Sequence, residues 1–246
     1  MIFKRGRYSG FLRPISYLID LLIIGFFANN IIHEKSDLLN FTLFISFSWI
    51  ISTLYSSFYE IFRYTSLTRI FSLIGKQSII FTLLVFAFFG FFNNLDTEPL
   101  SVIKYVLIVM LLITIIKFTI FFLLKKYRKV FKGNLRKVVI VGLNKKTDQL
   151  RKYFNDNPDY GYQLIKTFDL NKKDKISIND VISFISENEI DEIYSSLAEM
   201  NNKELLSLID YADNNLKILK FLPDNKEIYS KKLDFTYYGY LPILSL

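Results

Sequence analysis

The first half of the chain repeats one pattern. Apolar runs of about twenty residues alternate with short polar stretches, and the runs are Pro14–Ile32, Leu38–Phe58, Ile74–Phe92 and Ser101–Leu124. At ~1.5 Å rise per residue, a helix of about 20 residues crosses a ~30 Å hydrocarbon core. A soluble helical core needs a polar face recurring every three or four residues. Ser78–Phe92 has none. The pattern therefore predicts four transmembrane helices.

From Arg136 the period shortens. Lys137–Val141, Gln163–Phe168, Glu192–Ser196 and Ile218–Leu222 read as strands, and Pro223 stops the last. Thr147–Asn155, Ile178–Glu189 and Asn202–Asn214 have helical spacing, and Asp156–Tyr162 is rich in turn residues. Strands alternating with helices predict a small α/β Rossmann-like domain, its parallel sheet covered on both faces. The expected division is residues 1–130 for the four-helix membrane bundle and 131–246 for the Rossmann-like, CoA-binding-like domain.

Charge sharpens this division. Of the net +8, residues 1–137 hold 17 Lys+Arg against 6 Asp+Glu, and residues 138–246 hold 14 against 17. The positive excess flanks apolar runs, so membrane topology accounts for it and nucleic acid is not an expected partner. Positive segments (Lys4 to Arg13, Arg63 to Lys76, Lys125 to Lys137) alternate with the non-positive connections 33–37 and 93–100. The positive-inside rule then places both termini and the middle loop in the cytoplasm. No small-residue cleavage site follows the first run, so it is expected to remain as an anchor.

Ionisable residues inside spans are functional candidates. Asp20 lies about 10 Å, and Lys117 about 12 Å, inside the same boundary. Equal depth predicts an ion pair between the first and fourth helices. Lys117 snorkelling alone, with Asp20 on a water or hydroxyl, is the alternative. Residues 57–76 read as an amphipathic segment on the cytoplasmic membrane surface, carried by Phe58, Ile61, Phe62, Ile70, Phe71 and Ile74. Continuation of the second and third helices is the competing reading.

The sequence contains no cysteine and one histidine, His33. That excludes disulfides, thiolate metal sites and cysteine nucleophiles, and leaves a Ser-His-Asp triad hard to build. The first strand-to-helix turn runs Gly142-Leu143-Asn144-Lys145-Lys146-Thr147. A GxGxxG fingerprint needs glycine at 142, 144 and 147, and only Gly142 complies. Gly142, Asn144, Lys145 and Thr147 remain a weak candidate phosphate or cofactor site, while an unliganded structural domain is the stronger expectation. Asp191-Glu192 reads as a turn and strand-edge pair, its two side chains on opposite faces. Lys172, Lys173, Asp174 and Lys175 read as a solvated loop.

The order of elements, with KVVIVGLN, NPDYGYQLIKTFD, IDEIYSSL and LDFTYYGYLPILSL, resembles the N-terminal half of bacterial polyprenyl-phosphate (undecaprenyl-phosphate) sugar-1-phosphate transferases of exopolysaccharide and capsule biosynthesis. The resemblance implies a multi-pass protein of the bacterial inner membrane. It implies a family activity, transfer of sugar-1-phosphate from a UDP-sugar to polyprenyl phosphate. The module that carries that activity follows the region matched here, and Mg²⁺ is implied only for that module. No catalytic residue, metal site or cofactor is therefore expected in these residues, and the chain alone is expected to be inactive. Expected partners are the lipid bilayer, a second copy of the chain and the polysaccharide machinery. Membrane nucleotide-sugar dehydratases and epimerases share the same front half, and a stand-alone membrane scaffold or a ligand sensor are the other readings. Topology offers a direct check: reporters fused to either terminus should both face the cytoplasm, and a periplasmic signal from either contradicts the charge reading.

Overall fold

The structure, a computed structural model, describes residues 9–61, 63–91, 97–170, 176–223, 234–238 and 241–245. Lys4, Arg5, Arg7, Phe62, Asp96 and the loop 172–175 lie outside the described residues. The chain divides into two compact units, Met1–Leu123 and Leu124–Leu246.

The first unit contains α1 (Ser9–Ala28), α2 (Lys35–Ser56), α3 (Leu67–Phe91) and most of α4 (Pro99–Phe131). All four helices are long and apolar enough to cross a membrane. They meet along an aromatic seam: Phe41 and Trp49 of α2, Phe81 and Phe88 of α3, and Tyr105 of α4 are all buried. The Tyr105 hydroxyl donates to the Ile24 carbonyl of α1 at 3.1 Å. Outward positions are also apolar, including Leu18, Leu22 and Phe26 on α1, Phe47 and Leu54 on α2, and Leu107 and Leu111 on α4. A water-soluble surface does not carry apolar stripes of that extent.

α2 ends where Ser57 enters the left-handed region at φ 54°. The next amide, Phe58, reaches back to the Thr53 carbonyl at 3.1 Å. This C-terminal motif satisfies last-turn carbonyls and turns the chain back. Phe58 is consequently buried in the bundle, and it packs edge-on against Trp49. Of the amphipathic segment expected over 57–76, residues 67–76 form the first turns of α3, whereas α2 stops at Ser56.

The second unit has the expected strand–helix alternation: β1 (Arg136–Val141), α5 (Lys145–Asp156), β2 (Tyr162–Phe168), α6 (Ile178–Glu187), β3 (Glu192–Ser196), α7 (Asn202–Asn214) and β4 (Ile218–Leu222). These four strands are parallel, in the order β2-β1-β3-β4. Two further strands extend the sheet: β5 (Asp234–Tyr238) and β6 (Leu241–Ser245) form a hairpin, with β6 antiparallel to β4. The sheet is thus mixed, where the strand–helix alternation predicted parallel strands alone. An antiparallel edge strand needs no crossover helix, so the alternation gave no sign of it. Each helix starts at a reciprocal cap, Asn144 with Thr147, Ser177 with Asp180, and Asn201 with Glu204.

The sheet buries both faces. Val139, Val141, Ile193, Leu219 and Phe221 meet Val181, Ile185, Leu208 and Ala212 of α6 and α7. Val138, Ile140 and Tyr194 lie on the opposite face, with Leu150 and Phe154 of α5. That second face carries the charges described next.

Candidate functional site

Open α/β sheets bind ligands beyond the C-terminal ends of their strands, where the strand order reverses. Here that point lies between β1 and β3, at the turn from Gly142 to Thr147. Gly142 has φ 105°, a conformation that favours glycine. A Cβ there would stand 2.9 Å from Ser196 Cβ and 3.2 Å from Glu199 Oε2. The turn is closely packed, and the amides of residues 142, 143, 144, 146 and 147 are engaged. Gly142 N–H donates to the Phe168 carbonyl at 2.8 Å, and Leu143 N–H to Glu199 Oε2 at 2.7 Å. Asn144 N–H donates to Thr147 Oγ1, while Asn144 Oδ1 accepts from the Lys146 and Thr147 amides. Asn144 Nδ2 donates to Ser196 Oγ at 2.6 Å.

The structure thus brings Gly142, Asn144 and Thr147 together as a helix cap. Lys145 is exposed in the first turn of α5, and the Lys146 ammonium donates to the Pro223 carbonyl. Anions favour helix N-termini because free amides and the helix dipole converge there. At α5 the anion against the preceding turn is the protein's own Glu199. Among the described residues, no group of three His, Asp or Glu side chains could hold a metal ion.

The sequence reading missed a cluster on the α5 face of the sheet. Glu192 has no exposed surface. It accepts from Arg136 of β1, from the Lys220 ammonium of β4 at 2.6 Å and from the Tyr194 hydroxyl at 2.8 Å. Lys220 donates two further bonds, to Tyr194 at 3.2 Å and to Tyr238 of β5 at 2.8 Å. Tyr238 also bonds the hydroxyls of Tyr162 on β2 and Tyr194 on β3. Five of the six strands therefore meet in one buried polar network. Glu192 opens β3, as expected from sequence, and it is buried there because β3 lies between β1 and β4. Its neighbour Asp191 points elsewhere and accepts the Lys137 amide at 2.9 Å. Two features could have revealed the cluster: a lysine inside the apolar strand ILKFL and an acid opening EIYSS.

Burial alone would raise the Glu192 pKa, but Lys220 and Arg136 overcome it and hold the carboxyl at about 2. Arg136 is shifted upward: burial opposes its charge and the Glu192 carboxylate outweighs that burial. The Tyr194 and Tyr238 hydroxyls are driven well above the ordinary phenol range, first by burial and then by neighbouring charge, so they serve as neutral donors and acceptors.

In the helical unit, Asp20 is buried and accepts the Tyr59 hydroxyl. Tyr59 also accepts from Trp49 Nε1 at 3.0 Å and packs against the Tyr17 ring at 3.9 Å. Lys117 donates to the Phe58 carbonyl at 2.8 Å and lies over the Phe58 ring at 3.1 Å from its centroid. Asp20 and Lys117 fall within electrostatic reach of each other, but their hydrogen bonds go to adjacent residues of the α2–α3 connection. Near them Gln77 of α3 bonds Ser52 at 2.9 Å and Ser56 at 2.8 Å, both on α2.

A four-helix apolar unit joined to a Rossmann-like sheet defines the class of protein. Residues 55–223, more than half of the chain, match the family model described as a CoA-binding domain, and the chain belongs to that family. No curated protein and no solved structure matches it.

The network has a sign in pH. A carboxyl whose folded pKa lies below its unfolded value of 4.5 stabilises the fold above that value, and the contribution is lost as pH falls towards about 2. Protection factors of the β3 and β4 amides, corrected for the pH dependence of intrinsic exchange, should therefore hold at pH 5 and fall between pH 4 and pH 2. Protection unchanged down to pH 2 would show that the Glu192 pKa is not lowered in the folded sheet.

Proposed function

We propose that these residues are the membrane-anchoring and regulatory part of a polyprenyl-phosphate sugar-1-phosphate transferase of bacterial exopolysaccharide assembly. The observation that carries the reading is the extent of the family match. It starts at the last residues of α2, runs through α3 and α4, and ends just past β4, so two of the apolar helices and the parallel strands fall within one family match. The quoted sequence motifs resemble the same transferases, which join such a unit to their catalytic module.

In this reading α1 to α4 cross the inner membrane with both termini cytoplasmic, and the sheet unit lies in the cytoplasm. The bilayer, the polysaccharide machinery and a second copy of the chain are its partners. The sheet unit works without a bound nucleotide or CoA. The engaged amides of the Gly142–Thr147 turn, and Glu199 against Leu143, support that. No catalytic residue or cofactor is assigned to residues 1–246, and Mg²⁺ belongs to the transferase module.

The test is made in the native host and with the purified chain. Deleting the coding region for these residues should lower the membrane pool of polyprenyl-diphosphate-linked sugar. The purified 246-residue chain should transfer no sugar phosphate from UDP-sugars to polyprenyl phosphate. An unchanged lipid-linked pool, or transfer by the chain alone, would overturn the proposal.

A further inference from the structure

We propose that Asp20 and Lys117 act together as a two-point latch that holds the α2–α3 connection folded into the helical bundle. The connection is gripped at consecutive residues: Lys117 of α4 takes the Phe58 carbonyl, and Asp20 of α1 takes the Tyr59 hydroxyl. Neither contact is what an isolated intramembrane charge would choose. A lone lysine would extend to the headgroups, and a lone carboxylate would seek water. Instead both turn inward on the same short segment, close enough to compensate each other's charge.

The rest of the segment fits a closed latch. The turn at Ser57 aims Phe58 inward, where it is buried against Trp49. Trp49 holds Tyr59 by its indole N–H, and the Tyr17 ring covers Tyr59 from α1. Helices α1, α2 and α4 thus each hold residues 58–59, while Glu60 is exposed. The sequence pattern of the same segment, with Phe58 and Ile61 among polar residues, also suits a membrane surface. One stretch therefore has two compatible placements. Loss of either charge leaves the other buried without compensation, which favours release of the segment to the surface.

The chain contains its own reporter, because Trp49 is its single tryptophan. The full chain in lipid nanodiscs is compared with Asp20→Asn, Lys117→Met and the double variant, by acrylamide quenching of Trp49 and by circular dichroism. Each single variant should raise quenching about threefold with helix content unchanged, as expected for local opening. The double variant should show no more than the larger single effect. Equal quenching in all four proteins, or independent effects that multiply, would overturn the latch.

Should a charge variant fail to insert, Tyr59→Phe removes only the hydroxyl. With a nitroxide on Glu60→Cys, introduced into a chain that has no other cysteine, it should give a more mobile spectrum than the parent. An unchanged spectrum would overturn the latch equally.

Discussion

A charge taken out of water must be compensated where it is buried, and the sheet unit is organised around that constraint. Glu192 cannot reach solvent, and isolated in a protein interior it would cost several kcal/mol. It is tolerated because β1 and β4, the neighbours of β3, each supply a cation to it. The remaining protons of Lys220 then need acceptors, and Tyr194 and Tyr238 provide them. Satisfying one carboxylate thus recruits β5, a strand at the far edge of the sheet. Shape alone would not demand that the hairpin close over β4. The hydrogen bonds of the cluster, the β4–β6 pairing and burial of Leu241, Ile243 and Leu244 hold it there together.

The same constraint gives the β1–α5 turn its character. A family defined by CoA binding suggests a turn whose free amides await a phosphate. In this chain most of those amides are engaged from within: Asn144 and Thr147 cap each other, and Glu199 supplies a carboxylate to Leu143. Glycine at 142 is needed for its positive φ and for the close approach of Ser196 and Glu199. The fold of the family is retained, with much of its donor turn occupied by protein atoms.

Much of this was legible in the sequence. Helical spans, central strands and α7 follow from strong periodicity, and β3, α7 and β4 have the bounds that the pattern predicts. The hairpin was not legible. Its residues were visible as the motif LDFTYYGYLPILSL, but with no crossover helix to announce it, nothing local says that it joins the sheet. The charges were half legible. Depth along the helices singled out Asp20 and Lys117, yet depth cannot reveal that residues 58 and 59 would fold in to meet them. Glu192 and Lys220 are 28 residues apart in sequence, and only the parallel register of β3 and β4 makes them neighbours.

The central claim, that compensation of Glu192 holds the sheet together, is tested most directly by a double-mutant cycle on the full chain. Opening free energies are read by hydrogen exchange at the β3 and β4 amides for Glu192→Gln, Lys220→Met and the pair. Each single substitution should cost about 3 kcal/mol, and the pair should cost about 2 kcal/mol less than the sum, because the second change removes a group already stranded by the first. Strictly additive costs would mean that the two groups stabilise the sheet independently, and would contradict the account.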